Sequence, residues 1–353
     1  MLMVVFGAGA SYDSAPSQPL PTHDLPDAVG NERPPLANEL FEDRDMFAAI
    51  LERFPQAQPV VPRLRNLQPG ESVESVMEAL QAEADGDPRR HRQLAAVRYY
   101  LQSALYDCEA AWHREATRGV TNYKALLDAI EHTRARDETV CLVTFNYDTM
   151  LEAALPQSVG IDIRSINDYV ASKSYKVIKL HGSLNWGREV EPPVDHVGAV
   201  GDQELVVELI DRAASLKVTE RYHVVNQRSI VRLDAQRPLV PAIALPLLRK
   251  GAFECPAEHL KALDECLPQV RRLLVIGWRA TDAPFLELIH NRGRQAVRGV
   301  VVAGMPELAR EVITNLKNNL DRPGEFLSSA GGFTDFIVQH EIEAFLKSFR
   351  ASP

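Results

Sequence analysis

Short runs of apolar, β-branched residues, each ended by small or polar ones, recur along this chain with amphipathic stretches between them. The run from Met1 to Phe6 stops at GAGAS (Gly7 to Ser11), that from Thr139 to Val143 at TFNYD (Thr144 to Asp148), and that from Tyr175 to Leu180 inside KLHGS (Lys179 to Ser183). Runs this short and this apolar predict buried strands. Elsewhere the period is helical. Val73, Val76, Met77 and Leu80 keep one face, and Leu94, Val97, Leu101, Leu105, Cys108 and Trp112 step by three or four. Tyr123, Leu126, Leu127 and Ile130 predict a helix capped at Thr121 or Asn122, and a further helix spans Thr149 to Leu155. Downstream, helical Ala257 to Val270 leads into a strand at Leu273 to Ile276 and the turn Gly277 to Asp282. A helix from Pro284, a strand at Val300 to Val302 and a helix from Pro306 to Leu320 follow. This alternation predicts an α/β fold, a Rossmann-like parallel sheet with helices on both faces and an inserted helical layer.

Breaks in the pattern divide the chain further. Pro16, Pro19, Pro21, Pro26, Pro34 and Pro35 exclude helix and central strand between Ser14 and Pro35, so a long loop is expected in place of a helix after the first glycine turn. The whole chain, 1–353, reads as a single domain: 1–35 hold the first strand, the glycine turn and the loop, 36–136 a mainly helical insertion, and 137–353 the remainder of the core. Within the last part, 187–250 reads as irregular, with one helix from Gln203 to Leu216.

Composition narrows the partners. With 353 residues, 45% of them hydrophobic, the chain can bury a full core. A net charge of −9 opposes a broad nucleic-acid footprint, so no direct nucleic-acid binding is expected. The apolar start lacks a basic flank and no run approaches the ~18 apolar residues of a membrane span, which predicts a cytoplasmic protein. Cys108, Cys141, Cys255 and Cys266 stand far apart without a CxxC pair, which fits a reducing compartment and no structural zinc. The histidines other than His181 are dispersed without HxxxH or HExxH spacing, so no metal site is expected.

The strand ends carry the candidate chemistry. Glycines in GAGAS let the backbone approach a pyrophosphate and offer N–H groups to an anion; the same pattern also makes an ordinary tight turn. Tyr12 stands where the dinucleotide fingerprint has its third glycine, which disfavours a hydride-transferring dehydrogenase. In TFNYD, an amide at Asn146 can bond ribose or water and a carboxylate at Asp148 can accept from an amide NH₂, yet either residue equally suits a helix N-cap. His181 is either a general base near neutral pH or a structural histidine. Open α/β sheets bind ligands outside the carboxyl ends of their strands, so the three motifs read together as one nucleotide site.

With GAGAS, TFNYD, KLHGSLNW and VIGWRATD in that order, the chain resembles the sirtuin superfamily, specifically the bacterial sirtuin-like branch of antiphage NAD hydrolases. PPLANEL (Pro34 to Leu40), SVESVMEAL (Ser72 to Leu80) and the stretch Pro241 to Lys250 are similar to that branch as well. The resemblance implies NAD as substrate. By position it implies that Gly7, Ala8, Gly9 and Ser11 cradle the diphosphate, that Asn146 and His181 are the catalytic pair, and that Asp148 holds the nicotinamide amide. Gly277, Trp278 and Asp282 would lie by phosphate and ribose, Gly304 near the adenosine, and the proline-rich loop would close over NAD. Sirtuin deacylases carry a four-cysteine zinc module after the catalytic histidine, whereas only Cys255 and Cys266 occur in that interval here. No zinc ribbon is therefore expected, which favours an NAD glycohydrolase that depletes NAD in abortive infection. Relatives of this build imply a homo-oligomer, some with a HerA-type ATPase or a short Argonaute partner. Two alternatives stay open: an NAD-dependent protein deacylase or ADP-ribosyltransferase, and a noncatalytic module that binds NAD or ADP-ribose and drives assembly.

Overall fold

The computed structural model describes residues 1–15, 34–116, 121–191, 201–225, 230–234, 236–247 and 253–348. Nine strands lie among them: β1 (Leu2–Phe6), β2 (Val140–Thr144), β3 (Tyr175–Lys179), β4 (Gly182–Val190), β5 (Val218–Val224), β6 (Leu239–Ile243), β7 (Arg272–Ile276), β8 (Val297–Ala303) and β9 (Pro323–Ala330). The chain divides into two compact units, one of residues 1–16, 112–181 and 250–353, the other of 17–111 and 182–249.

The first unit is built on a six-stranded sheet in the order β3-β2-β1-β7-β8-β9. Every neighbouring pair is parallel, with Val4 opposite Leu142 on one side and Leu274 on the other. All residues of β1 and β2 are buried, as expected of strands covered on both faces. The chain steps outward from β1 in both directions, so right-handed crossovers place helices on both faces and the switch point falls between β1 and β7. This is the expected Rossmann-like α/β architecture. Thr121 proves to be the cap of the helix Asn122–Thr133, its hydroxyl accepting from Lys124 N at 3.1 Å. The helix after β2 runs longer than expected, Met150–Val159, and stops where Gly160 takes a left-handed conformation (φ 69°).

One expectation is corrected at the first turn. A helix, Ala8–Ser14, follows Gly7 directly; no loop replaces it. Proline takes hold only afterwards: Ala15, which precedes Pro16, is extended (φ −97°, ψ 138°), as the clash with a following proline ring demands. The remainder of the expected loop, residues 16–33, lies outside the described residues.

The second unit holds the insertion's helices as far as residue 111, the helix Asn122–Thr133 belonging to the first, and a three-stranded antiparallel sheet in the order β5-β4-β6. Val73, Val76, Met77 and Leu80 are all buried on the helix Val73–Ala82, whose N-terminus is closed by Ser72 and Ser75 bonding reciprocally. The segment read as irregular contains β5, β6 and the helix Asp202–Asp211. Its strands carry weak signals. Pro241 interrupts β6 and is tolerated because β6 is an edge strand, while β5 is largely exposed. Among the described residues no helix is long and apolar enough to cross a membrane. All four cysteines are buried and unbridged.

Candidate active site

All the candidate residues lie in the first unit, at the carboxyl ends of β1, β2, β3, β7 and β8. The turns after β1 and β7 are locked together through glycine. Gly7 N donates to Ile276 O at 3.0 Å, Gly9 N to Gly277 O at 3.1 Å, and Ala10 N to Gly7 O at 2.9 Å. A Cβ on Gly7 would stand 2.6 Å from Gly277 O, and one on Gly277 (φ 63°) only 2.2 Å from Ala10 N. These glycines exist for backbone-to-backbone packing, and the N–H groups of Gly7 and Gly9 are committed to it. Ala8 is exposed at the first turn of its helix, and Gly304, just past β8, is exposed with open space around it.

Beside this turn, a polar cluster joins three elements. Ser11 Oγ donates to Asp148 Oδ2 at 2.6 Å, while Asn146 Nδ2 donates to Ser11 Oγ at 2.8 Å and lies 3.4 Å from the Tyr123 hydroxyl. Because the single Ser11 proton goes to the carboxylate, Tyr123 must donate to Ser11 across their 2.9 Å contact. Burial, and next the Asp148 charge, push the Tyr123 phenol well above its ordinary value, which keeps it a donor. Asp148 Oδ1 also accepts from Met150 N at 3.1 Å, so Asp148 secures the start of the helix Met150–Val159 while its other oxygen faces the cluster. Asn146 does no capping. Its Oδ1 is buried without a hydrogen-bond partner, a cost that native structures seldom keep without a use. Tyr123 was legible only as a core position; a tyrosine on an otherwise aliphatic face was its one signal.

A second cluster surrounds His181. Its Nε2 lies 2.9 Å from Asp282 Oδ2, and Asp282 Oδ1 accepts from Phe285 N to cap the helix Ala283–Arg292. The carboxylate accepts, so the neutral imidazole carries its proton on Nε2 and its basic lone pair on Nδ1. Asp282, read as a phosphate or ribose neighbour, is thus also the partner of the histidine. Phe145 packs its ring on His181 (centroids 4.8 Å apart) and stacks on Trp278 (5.0 Å, planes 4° apart). One face of Trp278 is therefore covered by protein. Between Trp278 and Asp282 the turn passes through Ala280 at φ 53°, a conformation that a side-chain-bearing residue enters at a cost. Phe145 and Asn146 are consecutive, so one turn after β2 contributes to both clusters.

Asparagine at Asp282 keeps a cap acceptor for Phe285 N but loses the carboxylate that fixes the imidazole. Asp282→Asn is expected to leave the urea midpoint near wild type while lowering any turnover that uses His181 as a base by more than about tenfold, a part of the 10²–10⁴ that a general base contributes. Turnover and stability measured on one preparation check it; unchanged turnover would separate His181 from Asp282.

Behind these side chains lies a buried charged group. Lys179 Nζ meets Glu152 Oε1 at 2.9 Å, and the Tyr169 hydroxyl donates to the same oxygen at 3.0 Å. Lys179 N donates to His259 Nδ1 at 3.2 Å. Burial first, and then the Lys179 charge, hold His259 down at about 3, so it stays neutral in the folded protein. An unfolded histidine titrates near 6.5, and its folded value lies below that. Stability from this group is complete above pH 6.5 and lost as pH falls toward 3, by about 1.4 kcal/mol per unit inside that window. His259→Gln is expected to flatten the fall in the urea midpoint between pH 6 and 4 relative to wild type; parallel curves would contradict it.

Among the described residues no group of three or more His, Cys, Asp or Glu side chains could hold a metal ion. No protein-family model matches the chain, and no curated protein does. Solved structures of Sir2 homologues align along nearly its whole length. One, a Sir2 homologue in complex with NAD, is 14% identical over 99% of this chain and 89% of that one, with a TM-score of 0.40. A Sir2 homologue variant in complex with 2′-O-acetyl ADP-ribose is 16% identical over 99% and 93%, at 0.43. Sir2Tm bound to a propionylated peptide is 13% identical over 98% and 94%, at 0.40. The fold itself is established by the strand order and parallel register.

Proposed function

We propose that this chain is a sirtuin-like enzyme that cleaves NAD to nicotinamide and ADP-ribose. The observation that carries the reading is the buried amide of Asn146, its acceptor oxygen without a partner, on the turn whose neighbouring residue Phe145 packs on the His181–Asp282 pair.

The chemistry asks for these groups. Nicotinamide leaves as a neutral molecule from a cationic ring, so no acid is needed to protonate it. The protein must steady an oxocarbenium-like ribose and deliver water to its opposite face, through positioning and preorganised polar groups. Asn146 Oδ1 would take a hydrogen bond from that water or a ribose hydroxyl. His181 would accept the proton through Nδ1. The Asp148 carboxylate, bonded to Ser11 and Met150 N, would also receive the carboxamide NH₂. With the Gly7 and Gly9 N–H groups committed to other bonds and their Cβ positions facing the Gly277 backbone, these glycines would serve the diphosphate by fixing the turn beside it. Ala8 and Ser11 complete that cradle in this reading, with Gly277 and Trp278 beside the phosphates and Gly304 beside the adenosine.

Deacylation and ADP-ribosyl transfer begin with the same bond cleavage and differ in the acceptor. The test is chromatography of products after incubation with NAD, with and without an acyl-lysine peptide. Nicotinamide and ADP-ribose from NAD alone support hydrolysis; release that needs the peptide and yields acylated ADP-ribose overturns it in favour of transfer. NAD binding without release, even with the proteins encoded beside it, points to an assembly module. We assign the activity to NAD depletion in bacterial antiphage defence, as a homo-oligomer with a HerA-type ATPase among the candidate partners. This assignment rests on the motif resemblance alone.

A further inference from the structure

We propose that Lys179 is a positioning residue for the reaction: its buried ion pair with Glu152 fixes the main chain at Asp148 and thereby sets where the Asn146 and Asp148 side chains stand.

Lys179 is the first residue of KLHGS and is completely buried. Its ammonium donates to Glu152 Oε1 and to the main-chain oxygen of Asp148. Those two acceptors bracket the entry to the helix Met150–Val159: Asp148 lies just before its cap at Thr149, and Glu152 lies in its first turn. Thr149 O already serves the helix by accepting from Ala153 N, whereas the Asp148 carbonyl lies outside that ladder and is held by the lysine. Lys179 also stands two residues before His181, at the end of β3. The main chain joins the same two segments through Leu180 N and Thr144 O at 3.2 Å. One ammonium therefore sets the spacing between the turn that carries the amide and the turn that carries the imidazole.

A buried ion pair is a poor way to gain stability. Its desolvation consumes most of its Coulomb gain, and well-packed apolar replacements are often as stable or more so. Glu152 keeps its second oxygen buried without a hydrogen-bond partner, which adds to the cost. What the pair supplies that apolar groups cannot is a directed bond to one carbonyl. A misplacement of about 1 Å at reacting groups can lower a rate about 10²-fold, so such a bond has ample effect to exert.

This inference rests on the NAD-cleaving reading for its catalytic consequence, and the experiment separates the two. In the triple variant Lys179→Met, Glu152→Leu, Tyr169→Phe, charge and hydroxyl leave together and the volume stays close to the original. The expected result is a urea midpoint equal to or above wild type, faster amide hydrogen exchange at 144–149, and kcat for nicotinamide release lowered about 10- to 100-fold with little change in KM. A folded triple variant with wild-type exchange at 144–149 overturns the proposal, as does wild-type kcat. The exchange comparison is made without NAD, so it decides the positioning role even where wild type releases no nicotinamide, a result that would count against the proposed function alone. Should the triple variant not fold, the neutral pair Lys179→Gln, Glu152→Gln is read in the same two ways and with the same deciding outcomes.

Discussion

Alanine at Asn146 or at His181 is expected to lower nicotinamide release by about 10²–10⁴-fold while the protein stays folded. The two losses have different origins. Asn146→Ala removes donors to Ser11 and Tyr123, hydrogen bonds worth about 0.5–1.5 kcal/mol each, but it also removes a buried oxygen that has no partner. These effects offset one another, and Ser11 keeps its bonds to Tyr123 and Asp148. His181→Ala leaves Asp282 with Phe285 N as a partner and leaves Phe145 stacked on Trp278. Neither change should therefore move the urea midpoint by more than about 1–2 kcal/mol in stability, the range of ordinary point substitutions. Product chromatography and denaturation on the same samples separate chemistry from folding. Wild-type turnover in both folded variants would refute the roles given to the pair.

How far the sequence reveals this arrangement depends on the kind of information each part needs. Strands β1, β2, β3 and β7 are short apolar runs, and burial on both faces imposes that composition, so they are legible. β9 is not: PGEFLSSA lies at the sheet edge with one face largely exposed, and its few apolar positions leave no run to read. β8 extends beyond Val300 to Val302 because Arg298 is exposed beside buried Val297 and Gly299, which interrupts the run. Within the site, Asn146, Asp148 and His181 are conspicuous as polar residues directly after buried strands, where open α/β sheets bind ligands, although the same positions also suit helix caps, a use that Asp148 has. Partnerships are another matter. His181 with Asp282, Ser11 with Asp148 and Lys179 with Glu152 join positions far apart in the chain, and strand order alone decides which of them meet. The first glycine turn misleads for the same reason. Glycine there suggests room for a ligand, and what the room admits is the backbone of Gly277, 270 positions later.

Gly277→Ala is accordingly expected to cost about 3–5 kcal/mol, a large share of the 5–15 kcal/mol that holds a typical domain together. Two penalties combine. At φ 63° a β-carbon is strained by about 1–2 kcal/mol, and here it would also stand 2.2 Å from Ala10 N and 2.5 Å from Gly9 C. Both atoms are backbone in a turn whose hydrogen bonds to Gly277 O and Ile276 O fix it in place, so neither can give way as a side chain would. The strand ends of β1 and β7 must separate, and the polar cluster at Ser11 moves with them. Gly7→Ala, at 2.6 Å from Gly277 O, should cost less because no positive φ is involved, and Gly9→Ala, at 2.9 Å from Gly277 Cα, less again. Gly304→Ala meets nothing within 4 Å and should be close to neutral. Urea midpoints in the order Gly304→Ala, Gly9→Ala, Gly7→Ala, Gly277→Ala, from highest to lowest, are the expected outcome; a Gly277→Ala protein as stable as Gly304→Ala would contradict the interlocked turns. The ranking also governs how activity data are to be interpreted. Lost turnover at Gly7, Gly9 or Gly277 reports on the proposed phosphate site only where stability is retained, whereas lost turnover at Gly304, where no packing is disturbed, would support the adenosine contact proposed for it.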